Sequence, residues 1–578
     1  MEENYWTRQR RYSRRSIIRG AGLAAGIVTL APVIAACGSS NKNNNANKAA
    51  TTPSGVSTTT SAGTATSTSG GTTATSSVAA GWKPSPDEAK AVRGGTLTLS
   101  IFADYINFDT TKTQDVYSNY MIGQVCEALV ATTTDFKVAP VLAQSIETPD
   151  DHTYLFKLKQ GVKFHDGTDF TADAVKASLQ RHIDNKASVR NADVKTITDM
   201  SVVDPTTLKI TLSEPFAPFL NKIAGGAGII YSPTAVQKLG DKLASDLTGA
   251  GTGPFKFVEW AKGDHGTVQA NDAYWQKAPD GKPYPYLSKV IMKVIPDENV
   301  RLQSLKAGET DWLGGLPPNK DIAALKLDSS LIYKEIPGLG FSFFNLNVTK
   351  PPFDKKEVRQ AFAIAIDRDQ LLKTVFFGVG TAWDTQIPSA VPGSDPSLHP
   401  YLKQDLNKAK SLLQQAGLTG KVPFSMEFSS SSPIIQQTVE LVKDQISGAG
   451  FDMSLAPKEF SVVIDDGNKA NYQAESIGWS AGIDPDDYVY NLFQSKAGFN
   501  LAHYNSPQID TLLQQGRTTL DIEKRKPIYQ QILKTLADDE PFIIYYVGPI
   551  SQATSKKIAN YQLGPNIYSQ IFRVWKTA

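Results

Sequence analysis

Short segments of alternating apolar and polar residues recur along the chain from residue 94 onward. GGTLTLSI (94–101) alternates with a period of two. In TYLFKLKQGVKF, Phe156 and Leu158 fall on one face and lysines on the other. SVVDPTTLKITL (201–212) contains two such runs, separated by Asp204-Pro205, a dipeptide typical of turns. These patterns predict β-strands and a hairpin at 204–205.

Between the strands, apolar residues recur at helical spacing. FTADAVKASLQRHI carries an apolar stripe and begins after Thr171, a good N-cap residue. FDKKEVRQAFAIAIDR has Asp354 followed three residues later by Glu357, which predicts a capping box. LNKAKSLLQQAGL is expected to end at Gly417. Because strands and helices alternate throughout, the predicted fold class is α/β.

The first 36 residues follow a different pattern. An arginine-rich head precedes an apolar run at 20–36, which is short for a membrane-spanning helix and typical of an export signal. Arg14 and Arg15, in SRRSII, resemble the twin-arginine export signal. Ile34-Ala35-Ala36-Cys37 resembles the lipobox of bacterial lipoproteins, in which the cysteine is acylated. We therefore expect an export signal over 1–36 and a lipid anchor at Cys37, with an uncleaved signal anchor as the alternative.

Residues 37–82 are rich in Ser, Thr, Asn and Gly, with almost no large apolar side chains. Such a composition buries too little surface to offset the entropy of ordering, which predicts a disordered linker. About 44 flexible residues span roughly 35–40 Å. A glycosylated stalk is the alternative, with the same tethering role. We expect an extracytoplasmic protein, lipid-anchored to the cell membrane, in the periplasmic space or on the outer face.

Charge and composition exclude several classes of function. The chain has 578 residues, which predicts two or more domains. Its formal net charge is +2, and six arginines and two glutamates in the first 36 residues leave the remainder at −2, which argues against nucleic acid as a partner. Two cysteines and six scattered histidines give no disulfide framework and no metal site, so no cofactor is expected. Cys126 lies in an apolar stretch and is expected to be a buried thiol.

GWSAG (478–482) matches the Gly-x-Ser-x-Gly pattern of hydrolase nucleophile elbows, with Ser480 as the candidate nucleophile. An elbow serine is followed at once by a helix, whereas the next helix is predicted to begin at Asp484-Pro485. His503 is the one histidine downstream, and it follows too closely for a triad partner carried on a later strand. We therefore do not expect an enzyme.

The acidic residues of this segment permit a second chemical interpretation. Asp484, Asp486 and Asp487 could form a calcium loop, but the glycine and the closing glutamate of an EF-hand are missing. A solvated helix start is the favoured interpretation.

Several long segments resemble one family. LAQSIETPDDHTYLFKLKQGVKFHDGTDFTADAV (142–175) is similar to the signature region of the family 5 extracellular solute-binding proteins, the dipeptide, oligopeptide and nickel receptors of ABC importers. Further segments follow in the family's order: EPFAPFL (214–220), GTGPFKFVEW (251–260), YLSKVIMKVIPDENVRLQSLKAGETD (286–311) and FFNLNVTKPPFDKKEVRQAFAIAIDRDQL (343–371). The resemblance covers nearly all of 90–578 and is far more specific than a pentapeptide.

The resemblance implies a two-lobed, periplasmic-binding-protein-like fold with an additional inserted subdomain and a hinge between the lobes. Lobe I would comprise 83–129, 223–344 and 546–578. The inserted subdomain would be 130–222 and lobe II would be 345–545. The chain would cross between the lobes near Phe344 and Tyr546.

The resemblance also implies ligand-binding residues in lobe II. Trp479 would face the cleft as an apolar platform, or else fill the core. Peptide-binding members carry an aspartate three residues after this tryptophan, where it pairs with the peptide's α-ammonium; here that position is Gly482. Either Asp484 replaces that carboxylate or the ligand presents no ammonium there, and we expect Asp484 to cap the following helix instead.

Four further cleft residues rest on the resemblance alone. Gln114 and Tyr117 would contact ligand from lobe I. Asn345 would lie at the hinge crossing, and Trp383 would lie in a Gly-rich turn that borders the cleft. For each of them, packing within a loop is the alternative.

The sequence thus predicts a monomeric receptor that captures a small solute (a peptide, a sugar or another compound) between two lobes and delivers it to ABC permease subunits. Two alternatives stay open: a sensor for a signalling partner, and a secreted serine hydrolase that uses Ser480.

Overall fold

The computed structural model of the protein describes residues 85–565 and 571–577. The predicted export signal with Arg14 and Arg15, the lipidation residue Cys37 and the linker lie outside these residues. The strands of the described part are β1 (Thr96–Ile101), β2 (Glu127–Ala128), β3 (Val130–Thr132), β4 (Val138–Pro140), β5 (Ala143–Asp150), β6 (Thr153–Leu158), β7 (Ile197–Asp204), β8 (Thr207–Leu212), β9 (Ile229–Ile230), β10 (Phe255–Ala261), β11 (His265–Ala270), β12 (Lys289–Val294), β13 (Trp312–Leu313), β14 (Leu331–Ile336), β15 (Gly340–Leu346), β16 (Val422–Ser429), β17 (Phe451–Lys458), β18 (Ala474–Ser480), β19 (Phe542–Val547), β20 (Ile550–Ser555), β21 (Ile558–Ala559) and β22 (Trp575–Lys576).

The α-helices alternate with these strands. They are α1 (Val116–Val125), α2 (Ala172–Asp184), α3 (Asn191–Val194), α4 (Phe219–Ile223), α5 (Pro233–Leu239), α6 (Glu298–Lys306), α7 (Ile322–Leu327), α8 (Lys356–Ile364), α9 (Arg368–Thr374), α10 (Leu406–Gln415), α11 (Pro433–Ser447), α12 (Phe460–Asn468), α13 (Asp486–Phe493), α14 (Pro507–Thr518) and α15 (Ile522–Asp539). The alternation confirms the predicted α/β class. Among the residues that the structure describes, no helix is long and apolar enough to cross a membrane.

Three sheets carry the fold. The first sheet has seven strands in the order β10-β11-β12-β1-β13-β20-β14, and the second has five in the order β17-β16-β18-β15-β19. The third sheet, β5-β6-β8-β7, lies within the range predicted for the inserted subdomain and packs on its own apolar core. We call the parts built on the first and second sheets the first and second lobes.

The chain passes twice between the first and second sheets. Residues 337–339 join β14 to β15, and residues 548–549 join β19 to β20. The two crossings run side by side, because strand pairs flank them at both ends. Ile336 pairs with Ile550 on the side of the first sheet, and Phe341 pairs with Val547 on the side of the second sheet. The crossings contact each other at Gly338 and Gly548, because a Cβ on Gly338 would overlap the carbonyl group of Gly548. Phe344 and Tyr546, near which the crossings were predicted, lie inside β15 and β19.

Most local predictions are confirmed. Thr171 is the N-cap residue of α2, and Gly417 follows the end of α10 with φ of +77°. The hairpin around 204–205 joins β7 to β8. The predicted capping box at Asp354 is wrong: the Asp354 amide donates to the Lys350 carbonyl in a turn, and α8 begins only after Lys355. Cys126 is buried, and burial raises the pKa of its thiol.

Candidate functional site

The carboxyl ends of parallel strands from both lobes point toward the crossings. In the first sheet β13 runs parallel to β1 and antiparallel to β20, which begins directly after the second crossing. In the second sheet Ser480, at the carboxyl end of β18, pairs with Gly340, directly after the first crossing. In open α/β sheets, ligands bind outside the carboxyl ends of the strands. The candidate site is therefore the edge where the two sheets meet, which we call the hinge edge.

On the first lobe, the hinge edge presents apolar side chains to solvent. Phe102 and Ile106 follow β1 and are 49% and 69% exposed, and Leu316 follows β13 and is 50% exposed. Tyr117, predicted as a ligand contact, is buried with its ring edge-on to Phe102 at 4.8 Å between centroids. No motif in the sequence pointed to Phe102, Ile106 or Leu316, although the position of Phe102 directly after the strand GGTLTLSI is a usable signal.

Gln114 lies just before α1 and is exposed. Its side-chain amide donates to the carbonyl group of Val189, which belongs to the segment before α3. The structure thus places Gln114 at the amino-terminal side of α1, in a contact with the inserted part of the chain. Its role toward a ligand stays a prediction.

On the second lobe, Trp479 is half-buried at the end of β18. Its indole N–H donates to the Asp487 carbonyl at 3.0 Å, so this group has an internal partner. Its ring meets Phe499 edge-on at 5.3 Å, and Phe499 is 55% exposed. Trp479 thus has one side in the core and an aromatic neighbour at the surface, an arrangement that fits either predicted role.

Asp484 is committed to a buried ion pair. Its two carboxylate oxygens accept hydrogen bonds of 2.7 and 2.9 Å from Arg525 on α15, and both side chains are 3% exposed. Asp484 also accepts a hydrogen bond from the Asp486 amide at 2.9 Å, but the N-cap residue of α13 is Pro485, so the prediction of Asp484 as the N-cap is wrong by one residue. Burial disfavours the charged guanidinium, but the bonds to Asp484 outweigh it and raise the pKa of Arg525.

The next two carboxylates also have cationic partners. Arg517 on α14 donates two hydrogen bonds to Asp486, of 2.6 and 3.1 Å. Lys222 on α4 donates to Asp487, and its ammonium lies 3.9 Å from Asp193. The calcium loop considered for these aspartates is therefore not favoured, because each carboxylate is held by a side-chain cation.

Gly482 is exposed, and Asp487 occupies the space beside it. A Cβ at position 482 would lie 2.9 Å from a carboxylate oxygen of Asp487. Asp487 thus brings a carboxylate next to position 482, where the family resemblance implies the aspartate of peptide-binding members, and Lys222 is already bound to it. No motif in the sequence pointed to Lys222 as a partner, because it lies 265 residues away along the chain.

A polar loop lies at the hinge edge of the second lobe. Thr381 exchanges two backbone hydrogen bonds of 2.9 Å with Val547, the last residue before the second crossing. In the same loop, the Trp383 indole N–H, the Thr385 hydroxyl and both amide atoms of Gln386 are buried without a hydrogen-bond partner among the described residues. An unsatisfied buried polar group costs about 1–3 kcal/mol, so each of these atoms requires a hydrogen-bond partner from outside the protein, either a buried water or a bound molecule. The sequence identified Trp383 but missed Thr385 and Gln386.

Asn345 is not at the crossing. It lies toward the far end of β15, is fully buried, and donates to the Tyr472 hydroxyl at 2.8 Å and to Glu475 at 2.7 Å. Burial raises the pKa of Glu475 to about 8. These contacts give Asn345 a structural role in the second sheet, and its predicted role toward a ligand has no support in its position.

Ser480 has the wrong surroundings for a nucleophile elbow. It ends β18, and the next α-helix begins six residues later at Asp486. The Nε2 atom of His503 lies 2.9 Å from the Gly467 carbonyl, so that ring nitrogen has a backbone partner. The pattern that an elbow requires, with a helix directly behind the serine, is not formed.

Comparison with known proteins decides the family. Residues 137–500 match the model of the bacterial extracellular solute-binding proteins, family 5 middle region. The chain belongs to this family. The predicted function as a solute-binding receptor of the ABC importer type is confirmed, and receptors of this family bind solutes rather than transform them.

Individual relatives of this solute-binding protein are also binding proteins. The glutathione-binding protein GsiB of Pectobacterium atrosepticum is 29% identical over 485 residues, which are 81% of this chain and 91% of that protein. The solved structure of DppA from Helicobacter pylori, in complex with peptide STSA, has a TM-score of 0.73 and 25% identity over 86% of this chain and 100% of its own. The structure of AgaA from A. tumefacien R10, in complex with agropinic acid, has a TM-score of 0.71 and 27% identity over 84% of this chain and 99% of its own.

These matches confirm the two-lobed fold predicted for the solute-binding protein. None of the three relatives is named as a hydrolase, so the alternative function through Ser480 gains no support.

Proposed function

We propose that this solute-binding protein captures one small solute at the hinge edge and hands it to an ABC permease, without making or breaking a bond. The observation that carries the proposal is the loop 381–386, whose buried indole, hydroxyl and amide groups have no partner among the described residues. A solute that bonds to these groups from the second lobe and contacts Phe102 and Leu316 on the first would bridge both lobes.

The two crossings are the proposed hinge. Two short segments, 337–339 and 548–549, connect the sheets, and hinge motions concentrate in a few residues of this kind. On this basis we assign 130–222 to the inserted subdomain and place the lobe boundaries at the crossings. A ligand that contacts both lobes shifts the equilibrium toward the closed form. Small-angle scattering at saturating ligand is expected to show compaction, and identical profiles with and without ligand would count against the hinge.

The charge pattern supports a ligand without a free α-ammonium at this site. Gly482 supplies no carboxylate, and Asp484 and Asp487 are bound to Arg525 and Lys222. A buried ammonium without a partner is strongly disfavoured. We therefore expect a neutral or weakly polar solute, such as a sugar or another ring-bearing compound, packed on Trp479. Trp383 would contribute its indole N–H rather than its buried ring face.

The relatives bind different compounds, judged by their names: glutathione, a peptide and agropinic acid. Fold alone therefore does not identify the solute. A peptide or glutathione derivative remains compatible with the proposal if its amino group is blocked or lies outside the hinge edge.

We also propose that Cys37 is acylated and anchors the protein to the membrane. The support is the Ile34-Ala35-Ala36-Cys37 step after an apolar run. Each buried methylene of an acyl chain contributes about 0.8 kcal/mol, so two or three chains anchor firmly. Metabolic acyl labelling is expected in the wild type and not in Cys37→Ala. Equal labelling of the two proteins would show that Cys37 is not the acylated residue.

The test of solute capture is mass spectrometry of small molecules that co-purify with residues 82–578. The variant Gln386→Leu removes two polar atoms at similar volume and is expected to lose the co-purified solute. Gln414→Leu, at an exposed position on α10, is the matched control and should keep it. Equal amounts of the same solute in both variants would show that the loop 381–386 does not bind it.

A further inference from the structure

A second cavity lies away from the hinge edge, where the first lobe meets the inserted subdomain. Its volume is about 330 Å³, at the lower end of the range of small-molecule pockets. The first lobe contributes one face of α1, Pro254 and the segment 274–276, and the inserted part contributes β3, Pro140 and Lys159. None of the residues that we assign to solute capture lines it.

Most of the cavity wall is apolar. Ala128, Val130, Ala131, Val141 and Ile229 line it, together with the aromatic side chains of Tyr274 and Trp275. Such a wall favours a hydrocarbon or aromatic ligand body, because burial of apolar surface is the main source of affinity.

Two charged side chains line the cavity, Glu127 and Lys159, and they differ in their hydrogen bonding. The Glu127 carboxylate already accepts three hydrogen bonds, from Thr252 at 2.8 Å, Tyr274 at 2.7 Å and Trp275 at 3.0 Å. These three donors hold the Glu127 carboxylate in place as part of the cavity wall.

Lys159 is the other charged group. Its ammonium lies 5.1 Å from the centroid of the Trp275 ring, and no hydrogen bond or ion pair joins it to another described residue. Burial lowers the pKa of Lys159, with the charge of Glu127 acting in the opposite direction. A partly buried ammonium above an aromatic ring, with its N–H groups unused, is a suitable partner for an anion.

We propose that this cavity is a second binding site, for a small carboxylic acid with an apolar or aromatic body. The body would fill the space between α1 and β3, and the carboxylate would bond to Lys159. A charge-assisted hydrogen bond of this kind makes the acid bind about tenfold to a hundredfold tighter than an alcohol of the same body.

The experiment compares three probes that share one body: phenylpropionate, phenylpropylamine and phenylpropanol, titrated into the full chain by calorimetry. We expect the acid to bind at least about tenfold tighter than the other two. Lys159→Gln is expected to abolish this preference. Lys209→Gln, on the neighbouring strand β8 and exposed, is the matched control and should keep it.

A cavity-filling variant locates the binding. Gly123 lines the cavity on α1, and a Cβ there would meet nothing within 4 Å, so Gly123→Leu adds bulk toward the cavity and introduces a better helix former. We expect it to weaken binding of the acid at least tenfold, whereas Trp479→Ala at the hinge edge leaves that binding unchanged. Equal affinities of the three probes, no binding at millimolar concentration, or unchanged binding in Gly123→Leu would each overturn the proposal.

Discussion

The two sides of the hinge edge use different chemistry. On the first lobe, Phe102, Ile106 and Leu316 are exposed apolar residues in the loops that follow the parallel strands β1 and β13. On the second lobe, the segment after Trp479 carries three carboxylates, and each has a cationic partner within the protein. These ion pairs join the segment to α14 and α15 of the second lobe and to α4 of the inserted part, and they leave none of its three carboxylates free for a ligand.

This difference explains why the acidic segment does not mark a cation site. Asp484, at 3% exposure, would be costly to bury without Arg525. The pairs of Asp486 and Asp487 reach to α14 and α4, so the segment joins three parts of the chain. The acidic run is a structural junction, and we propose that ligand recognition belongs to the loop 381–386 instead.

The largest expected effect comes from breaking the most buried pair. Arg525→Met leaves Asp484 charged and unpaired, which is expected to lower the free energy of unfolding by about 3–5 kcal/mol in urea titration. The double variant Arg525→Met/Asp484→Asn should recover part of this loss. Lys526→Met, which removes an exposed pair with Glu523 on the same helix, is the control and should change stability by less than about 1 kcal/mol. Equal losses in the two single variants would mean that the buried Asp484–Arg525 pair contributes no more to stability than the exposed Glu523–Lys526 pair.

Glu475, a buried carboxylate in the same lobe, has the Asn345 amide as its hydrogen-bond partner instead of a cation. Burial raises the pKa of Glu475 to about 8, above the ordinary 4.5, so the folded state holds a proton that the unfolded state has released between these values. Stability is therefore expected to fall as pH rises from about 5 to 8, by roughly 4 kcal/mol at most.

Glu475→Gln should flatten that decline, measured as Tm against pH. Glu440→Gln, on the exposed face of α11, should leave the slope as in the wild type. A wild-type Tm that does not fall over this range, or a slope unchanged by Glu475→Gln, contradicts the protonated state assigned to Glu475.

A smaller effect is expected at the crossings. Gly338→Ala puts a methyl group against the Gly548 carbonyl and forces the two crossings apart, at a cost of about 1–3 kcal/mol in unfolding free energy. Gly420→Ala, where a Cβ meets nothing within 4 Å, is the control. If both substitutions are neutral by thermal denaturation, the close contact of the crossings does not exist in solution.

The sequence predicted more of the fold than of the site. Strand alternation, the N-cap at Thr171 and the glycine at 417 depend on neighbouring residues, and all three are confirmed. The capping box at Asp354 failed because a turn formed by residues 350–354 took the Asp354 amide.

The site depends on residues that are far apart in sequence. Lys222 meets Asp487, and Arg525 meets Asp484, only after three parts of the chain have packed. The family resemblance located Trp479, Gly482 and Trp383 near the hinge edge, but it placed Asn345 at a crossing where the structure has 337–339. No local sequence pattern distinguishes Gln386. It stands out only in the structure, where both its amide atoms are buried without a hydrogen-bond partner among the described residues.

The smallest effect is a predicted gain of binding. Lys222→Met frees the Asp487 carboxylate beside Gly482, so that a ligand ammonium could take the place of Lys222. We expect peptides with a free amino terminus to bind the variant about tenfold tighter than the wild type, measured by calorimetry. Lys238→Met, at an exposed position on α5, should bring no gain. No gain in Lys222→Met would mean that Asp487 does not face the ligand.

We propose that the three carboxylates after Trp479 in the second lobe, Asp484, Asp486 and Asp487, offer no site to a ligand ammonium in the wild type. The most direct test is calorimetry of the wild type against a mixture of di- to pentapeptides and the same peptides after N-acetylation. With Gly482 in place and Asp484 and Asp487 paired, we expect that acetylation does not weaken binding. Submicromolar binding that is lost on acetylation would contradict it, because such binding requires an ammonium site.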